Sequence, residues 1–409
     1  MFSRFQHYLS YGSTDQQTVR ELSDYFDGLI VPGTIAAFQA EGTRGFVLSL
    51  SARSNDPYVI DPRFPLFQNR LGTPKKSHVM LADVLGAPEL INRSFAPSPR
   101  DFHDGLIKNV ASHWIDFNVG FENVQVKTFE KYAARLKEPV LPQDRQDPAF
   151  VLPPYTMVDS EGDGWADVSD RLWTASVEYA HAKGVASKLR RVIAASSART
   201  WGRLASKHSD GELVAWISGL DEFRVSSESE LVSYGAALRE CASRNQRVFA
   251  LYGGFLSVLF SRHGLSGSSH GIGFGEYRDW VELPTSGAPP ARYYVPKLHR
   301  YIGVDIAEII WREFPELIDC ECVECSGLSP SDMDYHGLMQ HSVRVRAAEI
   351  EKWLDMPTPQ VIEELERDAS DFRLALQRLS APQKVVRRAE ESCAHLTMWA
   401  RVMSSLDLL

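Results

Sequence analysis

Three cysteines fall within six residues, as Cys320-Glu-Cys322-Val-Glu-Cys325, and His336 and His341 follow. Thiolates are soft donors, and zinc takes four ligands in a tetrahedron. One tight loop would supply three of them, so the fourth must come from elsewhere. His341 opens a segment with helical character, from which a ring can point back at the loop; His336 competes for the same role. The alternative is three thiols without metal, and thiols so close together would be open to oxidation. A Cys3His site is closed, so its Zn2+ would be structural and not catalytic. Cys241 and Cys393 stand alone. A disulfide framework would spread its cysteines, so the clustering also points to a reducing compartment.

Carboxylates recur at the ends of apolar runs. Trp216-Ile-Ser-Gly-Leu-Asp221-Glu222 places two acids between a predicted strand and a predicted helix. Such a group can accept hydrogen bonds from a base edge or move a proton; it can equally be an ordinary helix-entry acid. In His270-Gly271-Ile-Gly273-Phe-Gly275-Glu276 glycines alternate after another predicted strand. Backbone without Cβ atoms approaches a ligand closely, or simply turns tightly. Asp319 follows the apolar Leu317-Ile318 and directly precedes the cysteines. It reads as a nucleophile at a strand end, or as a partner of the metal loop. The segment from Asp159 to Asp170 nearly spells a calcium loop, but Asp stands where the twelfth position needs a bidentate Glu. It reads better as a loop entering a helix. Arg292-Tyr-Tyr-Val-Pro-Lys297-Leu-His299-Arg300, with Arg344 and Arg346, mixes cations with rings in a way that suits phosphate and base contacts. For any single cation a solvated helix face is the commoner meaning.

Elements must carry these groups to one place. Apolar runs at 28–31, 46–50, 115–119, 150–152, 192–195, 213–217, 248–251 and 268–272 read as strands covered on both faces. Helical patterns at 168–184 and 228–244 separate the later ones. Strands alternating with helices mean a parallel sheet. About eight of them without an early GxGxxG favour a (β/α)8 TIM barrel over an open dinucleotide-binding sheet. The chain then divides into a barrel at 1–318 with inserted loops, a zinc-binding loop at 319–345, and a helical segment at 346–409 with helices at 341–354, 359–379 and 381–409. Composition agrees: 409 residues, 44 % hydrophobic and 24 % charged, is an ordinary globular chain. It is not a disordered one, and a net charge of −9 argues against coating DNA by bulk charge. No apolar run is long enough to span a membrane and no secretory leader is visible, so a cytoplasmic location is expected. Ser–His–Asp, His-Glu-x-x-His and Walker patterns are absent from the sequence.

In this order the features resemble the tRNA-guanine transglycosylase superfamily (queuine and archaeosine tRNA-ribosyltransferases and their DNA-modifying relatives). Leu220-Asp221-Glu222 stands where that family has its "FDE" strand end, and Gly271 to Glu276 where it has its "GGL-VGE" loop. Arg292-Tyr293-Tyr294 is similar to its "PRY" strand, and Ile318-Asp319-Cys320 to the strand of its nucleophilic aspartate. The likeness covers roughly residues 190–345. The family's "DSGGFQ" segment, with its general-base aspartate, is missing; Asp61, in Val-Ile-Asp-Pro, could replace that residue. The resemblance implies base exchange at a nucleoside C1′ in tRNA or DNA, with a purine or 7-deazapurine base entering. Asp319 would be the nucleophile and Asp221 the reader of the base edge. Glu222, Gly271, Gly273, Gly275 and Glu276 would hold base or ribose, and Cys320, Cys322, Cys325 and His341 would hold the zinc. Whether such a chain is a homodimer or a heterodimer stays open. The alternative is a barrel that has lost catalysis and binds nucleic acid or a protein partner.

Overall fold

The computed structural model describes residues 4–54, 57–91, 95–281 and 290–408. Eight parallel strands form one curled sheet: β1 Gln6–Ser10, β2 Gly28–Pro32, β3 Tyr58–Asp61, β4 Met157–Val158, β5 Arg191–Ala195, β6 Glu212–Ile217, β7 Arg247–Ala250 and β8 Leu265–His270. Their order is β3-β2-β1-β8-β7-β6-β5-β4. Chain order therefore runs around the sheet, with β1 laddered to β8, and the two edges are β3 and β4. No ladder joins these edges, but single bonds do. Ala149 N donates to Tyr58 O at 2.9 Å. Gln68 and Met157 exchange two bonds, at 2.9 and 2.6 Å.

Alternation along each strand splits the apolar residues into two layers. Leu29, Val31, Ile60, Leu213 and Val248 face outward into the large core under the helices. Tyr8, Ile30, Val59, Met157, Val192, Val214 and Phe249 face the concave side and form a separate buried cluster with Tyr155, Trp216 and Leu251. A flat sheet could not gather residues from its two edges into one small cluster, so curvature is what makes this inner core.

Five of the sequence-derived runs, at 28–31, 192–195, 213–217, 248–251 and 268–272, coincide with or overlap strands. Residues 46–50 and 115–119 are instead helical, inside Ala40–Ser54 and Asp104–Val119. In the second, buried Leu106, Ile107, Val110, Trp114 and Ile115 recur at three- and four-residue spacing, so the apolar run is one stretch of a helix face. Residues 150–152 contribute only a single bridge, Val151 to Leu189. β1, β3 and β4 are strands that the apolar pattern does not reveal.

Beyond the sheet, β9 Arg292–Val295 and β10 Arg300–Gly303 pair antiparallel. Four helices follow, Val304–Glu313, Tyr335–Trp353, Thr358–Leu376 and Gln383–Asp407. The last three overlap the helices expected at 341–354, 359–379 and 381–409, although residue 409 lies outside the described residues. The last returns to the sheet side of the molecule, where Trp399 Nε1 donates to the main-chain oxygen of Glu222 at 2.7 Å. No helix among the described residues is long and apolar enough to cross a membrane.

Candidate functional site

The cysteine loop is the most compact constellation. The Sγ atoms of Cys320, Cys322 and Cys325 and a ring nitrogen of His341 all lie within 4.8 Å of one another. His341 sits on the Tyr335–Trp353 helix, fully buried. Its Nε2 is 2.6 Å from the main-chain oxygen of Tyr294 on β9. An oxygen acceptor there requires the proton on Nε2, which leaves the Nδ1 lone pair facing the sulfurs. Nδ1 is 3.0 Å from Cys325 Sγ and 3.4 Å from Cys322 Sγ. Tyr293 stacks on the ring at 4.5 Å. Hydrogen bonding from the Cys322 and Cys325 thiols holds the Cys320 thiol well below its usual range. Donor set, tautomer and spacing all fit a metal ion, and this group could hold one. His336 is elsewhere, between Thr18 at 2.9 Å and Glu21 at 2.8 Å.

Of the expected carboxylates, Glu222 and Glu276 come together. Both are buried. Gly254 lies between them: a Cβ there would fall 2.0 Å from Glu222 Oε1 and 2.7 Å from Glu276 Oε1. Gly254 N donates to Glu222 Oε2 at 3.2 Å. Burial, then the neighbouring Glu276 charge, pushes the Glu222 carboxyl well up. Burial also raises Glu276, against the pull of Arg346, whose Nη2 is 2.8 Å away. Asp221 stands beside this pair with its Oδ1 accepting from Phe223 N at 3.0 Å, as a turn acid does. Gly271, Gly273 and Gly275 form the turn after β8. Gly273 and Gly275 have φ of +80° and +82°, a conformation that favours glycine.

Asp319 is placed apart. It does not end a strand: it follows the short 3-10 turn Pro315–Leu317 and is exposed. It shares a groove with Cys320, Cys322, His299 and Asp368, and none of the described cavities contains it together with Asp221 or Glu276. The reason is local. The Val304–Glu313 helix ends at Phe314-Pro315, and only a 3-10 turn separates it from the metal loop. The near-calcium segment uses Asp163 as a cap, accepting from Asp159 N, Ser160 N and Trp165 N.

A second cluster lies at the C-terminal strand ends, on the concave side. Asp61 is the last residue of β3 and is fully buried. It shares the inner face with Val59, two residues before it. Tyr155 Oη donates to its Oδ1 at 2.7 Å, and Arg63 Nε is 2.6 Å from its Oδ2. The Arg63 guanidinium lies 5.4 Å from the centre of the Tyr252 ring. Trp216 packs 5.3 Å from Tyr252 and 6.2 Å from Tyr155. Trp280 adds to the same aromatic wall, its strap tied down by Ser218 and Asn69. Ser10 Oγ is buried here without a hydrogen-bond partner among the described residues, while Arg63 and the Tyr252 hydroxyl interact with each other. Unpaired buried donors are costly and mark a place where a ligand's polar atoms would be welcome. The sequence pointed to Asp61 alone. Nothing in it ties Arg63, Tyr155, Tyr252 and Trp280 together, since they meet only through the curl of the sheet.

No family model matches the chain, and no curated protein matches it. Among solved structures, nitroalkane oxidase from Streptomyces ansochromogenes aligns over 99 % of this chain and 95 % of its own, with 9 % identity and a TM-score of 0.27. A likeness that weak carries no argument about fold or function.

Proposed function

We propose that the chain is a (β/α)8 barrel, its β3–β4 seam bridged by side-chain and single main-chain bonds in place of a ladder, that exchanges a guanine-type base in tRNA or DNA. Its reacting carboxylate is Asp61. One observation carries this reading: a fully buried carboxylate ends β3 on the concave side, ringed by Arg63, Tyr155 and Tyr252. Active sites of parallel barrels lie at the C-terminal ends of the strands. An Asp61 oxygen attacks C1′ and forms a glycosyl ester, while the C1′–N bond breaks and its electron pair leaves with the base, which takes up a proton. A ring nitrogen of the entering base then attacks C1′, loses its proton, and releases Asp61. The aromatic wall of Trp216, Tyr252 and Trp280 suits a planar base removed from its stack. Asp319, exposed beside the metal loop, is a poorer nucleophile candidate. Asp221 and the 271–276 turn remain the candidates for contacts to base or ribose. The metal at Cys320, Cys322, Cys325 and His341 is structural zinc, since a closed set of three thiolates and one imidazole selects it.

Incubation with tRNA or duplex DNA and labelled guanine tests the reading, with a denaturing gel to detect a covalent adduct. Incorporation by the wild type and by Asp319→Asn, with loss in Asp61→Asn, supports it. Retention of exchange by Asp61→Asn rejects the assignment. The Glu222–Glu276–Arg346 knot and the displaced Asp319 favour a second reading, a barrel without catalysis that serves as a nucleic-acid- or protein-binding subunit. Tight tRNA binding without adduct or exchange would select it.

A further inference from the structure

A groove of about 700 Å³ runs between the metal loop, the Tyr335–Trp353 helix and the Thr358–Leu376 helix. His299 lines it and holds an unusual position. Its backbone has φ of +53°, which non-glycine residues seldom adopt and which tends to persist at functional sites. The ring lies flat on Phe255, with centroids 3.7 Å apart, and meets the edge of Trp353 at 4.9 Å. Its Nδ1 is 2.6 Å from Glu349 Oε1. Glu349 is itself oriented by Tyr294 Oη, which donates to its other oxygen at 2.6 Å. A carboxylate acceptor keeps a proton on Nδ1, so a ring carrying that proton alone presents a lone pair at Nε2. That atom is buried and has no partner.

Asp368 lines the same groove and is only 7 % exposed. Among the described residues it makes neither a hydrogen bond nor an ion pair. Burial pushes its carboxyl up, and the nearby His299 and Lys297 pull it back. Among the cations in the groove, Arg344 is 2.6 Å from Glu324, and Lys352 and Arg367 both pair with Glu364. Lys297 is the lining cation without such a partner among the described residues, and the acids Asp319, Glu321 and Asp371 also line the groove. A buried imidazole nitrogen without a partner and a carboxylate with neither hydrogen bond nor ion pair among the described residues thus line one cleft with Trp353.

We propose that this groove is a second binding site, for a ligand bearing a protonated primary amine that donates to His299 Nε2 and to Asp368. An ammonium group has three donors and no acceptor, so it can serve both residues at once. Its charge makes the bond to a carboxylate a strong one. A carboxylate or phosphate ligand would face Asp368 as a like charge. The site is separate from the Asp61 cluster and does not rest on base exchange.

Saturation-transfer NMR on the full chain at physiological ionic strength tests this, with benzylamine, benzyl alcohol and benzoate as probes. Benzylamine should bind saturably while the other two do not compete. Asp368→Asn and His299→Phe should each weaken it about tenfold or more, equivalent to ~1.4 kcal/mol. Phenylalanine keeps the stack on Phe255 while removing both ring nitrogens; if that variant does not fold, Asp368→Asn decides alone. Equal binding of benzyl alcohol, an unchanged affinity in Asp368→Asn, or no saturable benzylamine binding would each overturn the site, and none of them touches the exchange assay.

Discussion

Tyr155 and Asp61 meet across the open seam of the sheet: the phenol donates to the carboxylate at 2.7 Å over a sequence separation of 94 residues. Both are buried, one just before β4 and the other at the end of β3. The pair therefore does two things. It orients a buried carboxylate, and it ties together two edges that no strand ladder joins.

Tyr155→Phe should separate these roles. The substitution keeps the ring in the inner core but leaves Asp61 Oδ1 with only the Arg63 main-chain N–H, 3.1 Å away. Losing one of two hydrogen bonds there costs about 0.5–1.5 kcal/mol. A lower urea midpoint with an unchanged m-value is expected. Tyr155→Phe with wild-type stability would mean that the bond does not hold the seam.

Gly254 is the close-approach point of the Glu222–Glu276 pair. Gly254→Ala puts a methyl within 2.0 Å of one carboxylate oxygen and 2.7 Å of another. Glu222 cannot swing away freely, because its main chain is held by Trp399. Overpacking a buried site costs about 1–3 kcal/mol. The expected readout is a lower melting temperature in Gly254→Ala, with part of it regained in Gly254→Ala/Glu222→Ala, where the nearer oxygen is gone and only Glu276 Oε1 remains. No recovery in the double variant would place the strain elsewhere.

The metal group couples two elements, since His341 binds the sulfur cluster through Nδ1 and β9 through Nε2. Protein purified without chelator should carry one zinc per chain by elemental analysis. His341→Ala should lose it, while His336→Ala should keep it, because His336 is engaged with Glu21 and Thr18. Chelation should also speed hydrogen exchange in Arg292–Val295 and in the Tyr335–Trp353 helix, since metal binding energy is folding energy. Full zinc content in His341→Ala would remove that residue from the ligand set.

These features differ in how far a sequence can carry them. Cys320 to Cys325 was legible because its three donors are local in the chain; His341 was preferred to His336 as the start of a helix, but that helix starts at Tyr335, so His341 meets the sulfurs for a reason the sequence reading did not have. Strands β2, β5, β6, β7 and β8 were legible as apolar runs. β1 was not, since its residues include Gln6, His7 and Ser10, nor was β4, which is only two residues long; β3 escaped as well, a four-residue strand that closes on Asp61. Residues 46–50 and 115–119 were misread because a short apolar run looks the same in a strand and on a helix face. Asp319 was misplaced for a related reason: Leu317-Ile318 looks like a strand end, but Pro315 starts a 3-10 turn there. The Asp61 cluster draws on Arg63, Tyr155, Tyr252 and Trp280. Only the curvature of the sheet brings them together, and no local pattern encodes curvature.

The last prediction concerns acid. His7 and His270 are buried on β1 and β8 with their Nε2 atoms 2.8 Å apart. Burial first, and the Arg346 charge second, lower the His7 pKa to about 3. His270 is lowered well below the usual value by the same two causes in the same order. With folded values depressed, the unfolded chain binds more protons between about pH 3 and the unperturbed value near 6.5. Stability contributed by these groups is thus present above about pH 6.5 and is lost as pH falls toward 3. One unit below the unfolded pKa each histidine costs about 1.4 kcal/mol. His263 and His395, also lowered by burial, add to the same trend, whereas raised acids such as Glu222 oppose it. The difference between two proteins isolates the pair. His7→Gln/His270→Gln should start less stable at pH 7.5, since a packed buried pair has been replaced. Between pH 7.5 and 5.5, however, it should lose about 3 kcal/mol less than the wild type. Parallel pH profiles from urea titrations of the two proteins would show that the pair does not stay neutral in the folded state.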